Sequence, residues 1–178
     1  MSRDLSDLRE DVGRSAEVVA EMFEAASDAA RLPRREMVSN VDILIYCTYR
    51  SDEEQARLYR QGRSRRKIEA KAEELDRRWS RPDLARVLMA VGPQDGKSII
   101  TYAAPGQSAH GYRVAFDAVP IVDGKVLWEQ DDPWKRSLWD LYGSCVDAAG
   151  LEWAGQWSVP KRELVHAQVP FFDWREWI

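Results

Sequence analysis

The chain holds two histidines, His110 and His166, and each lies near an acid. His110 sits in the stretch SAHGYRVAFD, residues 108–117, which ends on Asp117. His166 closes the run Glu163-Leu164-Val165-His166. Two imidazoles and one carboxylate are a common ligand set for a catalytic zinc, with one position left to water. His110, Asp117 and His166 supply that set. A carboxylate beside a zinc-bound water serves as general base and then as general acid, and Glu163 is the candidate. Arg50 falls where a strand-like run gives way to a helix start. From there a guanidinium could stabilise a developing oxyanion or grip a substrate carboxylate. Residue types alone leave a structural role for both histidines open. They also leave open a nucleophilic pairing of Cys145 with a histidine, although Cys145 falls within an expected helix.

The elements that must hold these residues follow from periodicity and punctuation. Leu5, Leu8, Val12, Ala16, Val19, Phe23 and Ala26 recur at helical spacing, so residues 4–32 are expected to form an amphipathic helix ending before Pro33, with Gly13 a point where it could split. Val41–Thr48 is β-branched and aromatic and reads as a buried strand. Ser51 with Glu54 forms a capping box for a helix from Asp52 to about Gln61, stopped by Gly62. Residues 63–90 are helical in composition, divided by Pro82, and are followed by a loop over Val91–Gly96. Ser98–Tyr102 reads as a strand. So does Val114–Val122, turned by Asp123-Gly124 into a return strand over Lys125–Trp128. Asp132 and Pro133 open a helix that runs to about Ala149 and stops at Gly150. Leu164–Val169 reads as the last strand. The expected fold is α+β: a small, mostly antiparallel sheet flanked by helices in a single domain over residues 1–178.

Composition narrows the function. With 178 residues, 44% of them apolar, the chain can build a real core. Seven of the eight tryptophans lie after residue 120, which weights core or cleft toward the C-terminal third. A net charge of −4 makes no case for a nucleic-acid partner. Cys47 and Cys145 read as buried thiols rather than a disulfide framework. No run approaches the ~18 apolar residues of a membrane span. The charged start MSRDLSDLREDVGRS has no apolar signal region, so cytoplasmic synthesis is expected. Between Arg57 and Arg86, eleven Lys or Arg stand against five acids. That excess reads either as a patch for an anionic surface or as a solvated helical face with mixed ion pairs.

SAHGYRVAFD resembles the S-x-H-x-x-G-x-A-x-D motif of the M15 zinc peptidases, with Ser108, His110, Ala115 and Asp117 on matching positions. That family includes D-Ala-D-Ala carboxypeptidases and dipeptidases of the VanY and VanX kind, and phage endolysins that are L-alanyl-D-glutamate peptidases. Glu163-x-x-His166 resembles the family's E-x-x-H, and Gln168 completes an H-x-Q pattern. Tyr49-Arg50-Ser51 with Gln55, Leu58, Tyr59, Gly62 and Arg63 resembles the upstream Y-R-S-x-x-x-Q-x-x-L-Y-x-x-G-R block. Residues 150–157, GLEWAGQW, resemble GLEWGGxW. The four stretches follow the family order over most of residues 41–170.

The resemblance implies that His110, Asp117 and His166 bind Zn2+ and that Glu163 is the catalytic base. It implies that Arg50 assists substrate or transition state, and that Ser108 and Gln55 line the substrate site. The implied substrate is the peptidoglycan stem peptide. The implied protein is a phage-type endolysin that reaches the wall after holin-type release; a monomer is expected. A D-alanyl-D-alanine carboxypeptidase is the alternative within the family. A non-catalytic wall-binding or phage structural protein on the same fold is the alternative outside it. Two positions depart from the pattern: Arg113 stands at the motif's glycine, and Ala154 replaces the first glycine of GLEWGG. Residues 64–97 look like a basic helical insertion.

Overall fold

The computed structural model describes residues 1–31, 38–92 and 98–177. The fold is α+β, with five α-helices and a five-stranded antiparallel sheet among the described residues. Contacts group the chain into two compact units. One comprises Met1, Arg50–Tyr112 and Asp173–Ile178; the other comprises Ser2–Tyr49 and Arg113–Phe172. Among the described residues, no helix is long and apolar enough to cross a membrane.

The sheet belongs to the second unit. Its strands are β1 (Val41–Cys47), β2 (Ala115–Val122), β3 (Lys125–Val126), β4 (Glu152–Trp153) and β5 (His166–Gln168). Their order is β1-β2-β5-β4, with β3 paired to β2. Successive strand residues point to opposite faces, so register decides what shares a face. Phe116 lies opposite Ala167, and Ala167 opposite Trp153. This row faces helix α5 (Pro133–Ala148), where Trp153 packs edge-on against Tyr142. Helix α1 (Glu10–Arg31) packs on α5 and β1 with Val12, Ala16, Val19 and Phe23 buried. Each such side chain contributes roughly 1.5–3 kcal/mol of hydrophobic stabilisation if it is Val or larger. The opposite face of β2 carries Asp117.

Between Ile45 and Cys47 the β1–β2 register shifts. Ile45 pairs with Ala118, yet Cys47 pairs with Asp117. Two steps along β1 match one along β2, which is a β-bulge. It turns the end of β1 so that Cys47 joins the row of Asp117.

Several expected boundaries move. Helix α1 starts at Glu10, not residue 4, and Gly13 does not divide it. The Asp4 side chain accepts from the Ser6 amide and winds Leu5–Asp7 into a 3-10 turn. Leu8 is then extended, and the Arg9 amide bonds Arg113 O at 2.9 Å, so the first α-helical turn begins only after them. The expected stop at Pro33 lies outside the described residues. So does most of the loop over Val91–Gly96. The return strand after Asp123-Gly124 is two residues long. The turn itself forms as expected, both central residues having positive φ (48° and 76°).

The first unit is a helical cluster: α2 (Asp52–Arg60), α3 (Arg65–Arg77) and α4 (Pro82–Ala90). Ser51 and Glu54 form the full capping box on α2. Ala56, Tyr59, Ile68, Leu75, Leu84 and Leu88 make its core. On the outer faces, Arg65 pairs with Glu69 and Arg77 with Glu73, and the half-buried Lys71 pairs with Glu74. Exposed pairs at this spacing contribute about 0.3–0.5 kcal/mol each. They also neutralise part of the basic excess, which favours a solvated face over an anion-binding patch.

Ser98–Tyr102 is not a strand. Among the described residues, no strand pairs with it. Ile99 and Ile100 are exposed, and side chains from the α2 region take up the backbone instead: Arg63 Nη2 donates to Thr101 O at 2.7 Å. The segment passes so close to Gly62 (φ +67°) that a Cβ there would meet the Ser98 carbonyl carbon at 2.5 Å. Gly62 thus ends α2 and also makes room for this crossing.

Candidate active site

The second unit brings three of the sequence-derived residues into one neighbourhood. Asp117 on β2 and His166 on β5 are directly opposite each other in the antiparallel register, so both side chains leave the same face. Both are buried, and His166 Nδ1 lies 3.1 Å from Asp117 Oδ1. On its other side, His166 Nε2 lies 3.1 Å from Gln168 Oε1, two residues along the same strand and face. Burial opposes a charged ring. The Asp117 hydrogen bond, the charges of Asp117 and Glu163 and the Gln168 contact outweigh it and raise the His166 pKa above its ordinary 6.5. Glu163 is half-buried, and its backbone N–H is fixed to Ala154 O at 3.1 Å.

Tyr142 and Trp153 hold the segment that leads from Glu163 into β5. The Tyr142 hydroxyl donates to Val165 O at 2.9 Å, and Trp153 Nε1 donates to Leu164 O at 2.7 Å. Two successive carbonyls are thereby tied to the tryptophan-rich core. The two residues between Glu163 and His166 cannot swing freely, because each has its carbonyl anchored.

The donor chemistry of this pair fits a zinc ion. A buried carboxylate oxygen and imidazole nitrogen 3.1 Å apart can both reach one ion at the ~2.0–2.2 Å bonds that zinc makes to such ligands. Gln168 meets the far ring nitrogen, as an acceptor does behind a metal-bound histidine.

The other sequence-derived residues lie in the first unit. His110 is buried in a short 3-10 helix, Ala109–Tyr112, where Gly111 N bonds Ser108 O at 3.0 Å. Tyr112 Oη closes the same loop by donating to Gly106 O at 2.7 Å. Arg50 and Gln55 are joined: Arg50 Nη1 donates to Gln55 Oε1 at 3.0 Å. Gln55 is 2% exposed, and its amide nitrogen donates to Ala103 O at 2.6 Å. Gln55 therefore orients Arg50 from inside the unit.

Arg113, the departure from the motif's glycine, has φ +63°. That is left-handed backbone, where glycine is the least strained residue. Arg113 adopts it with support: Nη1 donates to Asp7 O at 3.2 Å, and the guanidinium lies over the Tyr49 ring at 4.8 Å. The chain keeps its course through the motif although the glycine is gone.

Residue types did not point to three neighbours of this site. Cys47, read only as a buried thiol, has its Sγ within 4.8 Å of an Asp117 carboxylate oxygen, because the bulge turns it there. Glu152 sits opposite Gln168 in the β4–β5 register. Trp157 tilts over the His166 ring, centroids 5.7 Å apart. The H-x-Q and GLEW stretches held the signal, but their side chains meet only through the pairing of β4 with β5. Cys145, by contrast, is buried in α5 and its thiol is pushed up from 9.0 by burial, which suits packing rather than nucleophilic attack.

Residues 102–169 match the model of a peptidase family of M15 type, described as D-alanyl-D-alanine carboxypeptidase. The peptidoglycan L-alanyl-D-glutamate endopeptidase CwlK of Bacillus subtilis (strain 168) is 26% identical over 121 residues. The aligned part is 66% of this chain and 54% of that protein, so the chain spans about half the length of this relative. His110, Asp117, Glu163 and His166 all fall inside the matched 102–169 segment.

Proposed function

We propose that this chain is an M15-type peptidase, which both matches support, acting as a zinc-dependent hydrolase of an amide bond in the peptidoglycan stem peptide. The buried Asp117–His166 pair carries the reading, with Glu163 near enough to act on the histidine's charge. Zinc at such a site would lower the pKa of a bound water toward ~7 and polarise the scissile carbonyl. In this proposal His110, from the same motif as Asp117, completes the ligand set. Glu163 takes the proton from the attacking water and delivers it to the leaving amine. Arg50, held by Gln55, offers its guanidinium to the developing oxyanion or to a substrate carboxylate. Ser108 completes the substrate side, while Gln55, buried behind Arg50, serves the site by holding that guanidinium.

The bond proposed is L-alanyl-D-glutamate, as in the name of the relative, and the role is that of a phage-type endolysin. Such an enzyme is made in the cytoplasm and reaches the wall once the membrane is permeabilised. The family description favours a second reading, removal of a terminal D-alanine.

Mass spectrometry of purified peptidoglycan digested with and without a chelator tests all of this. New L-alanine and D-glutamate ends that vanish with chelator and return with zinc are expected. Free D-alanine as the product sinks the endopeptidase reading in favour of the carboxypeptidase. Wall binding with no cleaved bond sinks both and leaves a non-catalytic wall-binding protein.

A further inference from the structure

Glu152 is used by three separate donors. Its Oε1 accepts from Trp157 Nε1 at 2.5 Å, and its Oε2 accepts from the Phe171 amide at 3.3 Å and from Gln168 Nε2 at 3.5 Å. Two of these donors lead to His166. Gln168 presents its carbonyl oxygen to His166 Nε2, and Trp157 lies against the ring. A carboxylate only accepts, so the Gln168 amide must turn its NH2 toward Glu152. Its carbonyl is then left to face His166, where it can only accept the Nε2–H. That keeps a proton on Nε2, so Nδ1, on the Asp117 side, is the nitrogen that gives up its proton and offers a lone pair when a metal is bound.

We propose that Glu152 is a positioning residue for His166, acting through Gln168 on the ring's tautomer and through Trp157 on its tilt. The role rests on the zinc site proposed above. Glu152 does not touch the metal or the substrate. It sets which face of the Gln168 amide the histidine meets, and it anchors the indole that limits ring rotation. Partners of this kind behind a metal-bound histidine typically carry about 10–100-fold in metal affinity.

The test is zinc affinity, measured by competition with a chromophoric chelator. The proteins compared are wild type, Glu152→Leu, Gln168→Leu, the double variant and Glu152→Gln. Thermal melting of the zinc-free proteins checks folding. Each Leu variant should lose about 10–100-fold in affinity. The double variant should lose no more than the worse single one, because both cut the same chain of contacts. Glu152→Gln keeps one carbonyl oxygen and the side-chain volume, and should lose less; it serves as the readout if a Leu variant does not fold. In zinc-loaded protein labelled with 15N-histidine, His166 should show a slowly exchanging Nε2–H that is lost in Glu152→Leu. With two histidines in the chain, assignment is direct. Wild-type affinity in Glu152→Leu, or losses that simply add in the double variant, overturns the role of Glu152 while leaving the zinc site standing. A wild-type protein that binds no zinc overturns the site and this role together.

Discussion

Asp117 and His166 face each other across one rung of an antiparallel ladder, with Oδ1 and Nδ1 3.1 Å apart and both side chains buried. Such a pair can hold a proton between its members or a metal ion. The proposed function takes the second option, and the two make different demands on Glu163. A shared proton needs no third carboxylate. A zinc-bound water needs a base.

Glu163→Ala should therefore separate binding from chemistry. Zinc content measured on the purified variant should stay near wild type, while turnover of peptidoglycan falls about 10²–10⁴-fold. His166→Ala should lose zinc and activity together. Loss of zinc in Glu163→Ala would place that residue among the ligands instead.

Arg113 gives a test of backbone strain. Arg113→Gly removes the left-handed penalty, which is of the order of 1 kcal/mol, and also removes the contacts to Asp7 and Tyr49. The two effects oppose, so the denaturation midpoint should move little. Arg113→Val keeps neither advantage and adds a β-branched side chain at φ +63°, so it should be the less stable variant by about 1–2 kcal/mol. Equal midpoints for the two variants would show that the conformation costs nothing.

The Trp153 ring is enclosed by two glycines. A Cβ on Gly143 or on Gly155 would meet ring carbons at 2.2 Å. Gly143 lies inside α5, where alanine would ordinarily stabilise by about 1 kcal/mol. Here the clash should win. Gly143→Ala and Gly155→Ala should each lower stability by about 1–3 kcal/mol in urea titration. A stabilised Gly143→Ala would mean that the ring can move aside.

Asp123 gives a pH dependence. Its carboxylate accepts from the Ser39 hydroxyl and from the Ser39 and Asn40 amides, which lowers its pKa below the ordinary 3.8. A carboxyl depressed in the folded state stabilises above its unfolded value, and that contribution is lost as pH falls through the folded one. The melting temperature of wild type should drop below about pH 4. Asp123→Asn should be less stable at pH 7 and show a shallower fall in acid. Parallel acid limbs for the two proteins would show that another group is responsible.

What the sequence revealed was chiefly what is decided locally. The capping box of Ser51 and Glu54, the Asp132-Pro133 helix start and the Asp123-Gly124 turn each depend on a few adjacent residues, and each formed. Ser98–Tyr102 failed because a strand needs a partner, and β-branched composition carries no information about one. The Asp117–His166 pair needed β2 and β5 to be neighbours in one register, which the spacing of the two residues does not encode. The family motif supplied the association instead. Glu152 lay hidden for the same reason: β4 is two residues long, and only its pairing with β5 puts Glu152 beside Gln168. Arg113 was legible as a departure, but its meaning required the sign of φ.

The bulge at the end of β1 works as a phase shift. Upstream of it, Val41, Ile43 and Ile45 pair with Val122, Pro120 and Ala118 in unbroken step. Beyond it the step changes by one residue, and Cys47 comes level with Asp117. Deleting Tyr46 would restore a regular ladder at the cost of rotating everything after it. Substitutions within β1 before the bulge and those at Cys47 therefore belong to separate problems: the first tune a hydrophobic sheet, and the second tune the wall of a polar site. A strand that would otherwise give one alternating pattern from end to end is free to vary each part on its own terms.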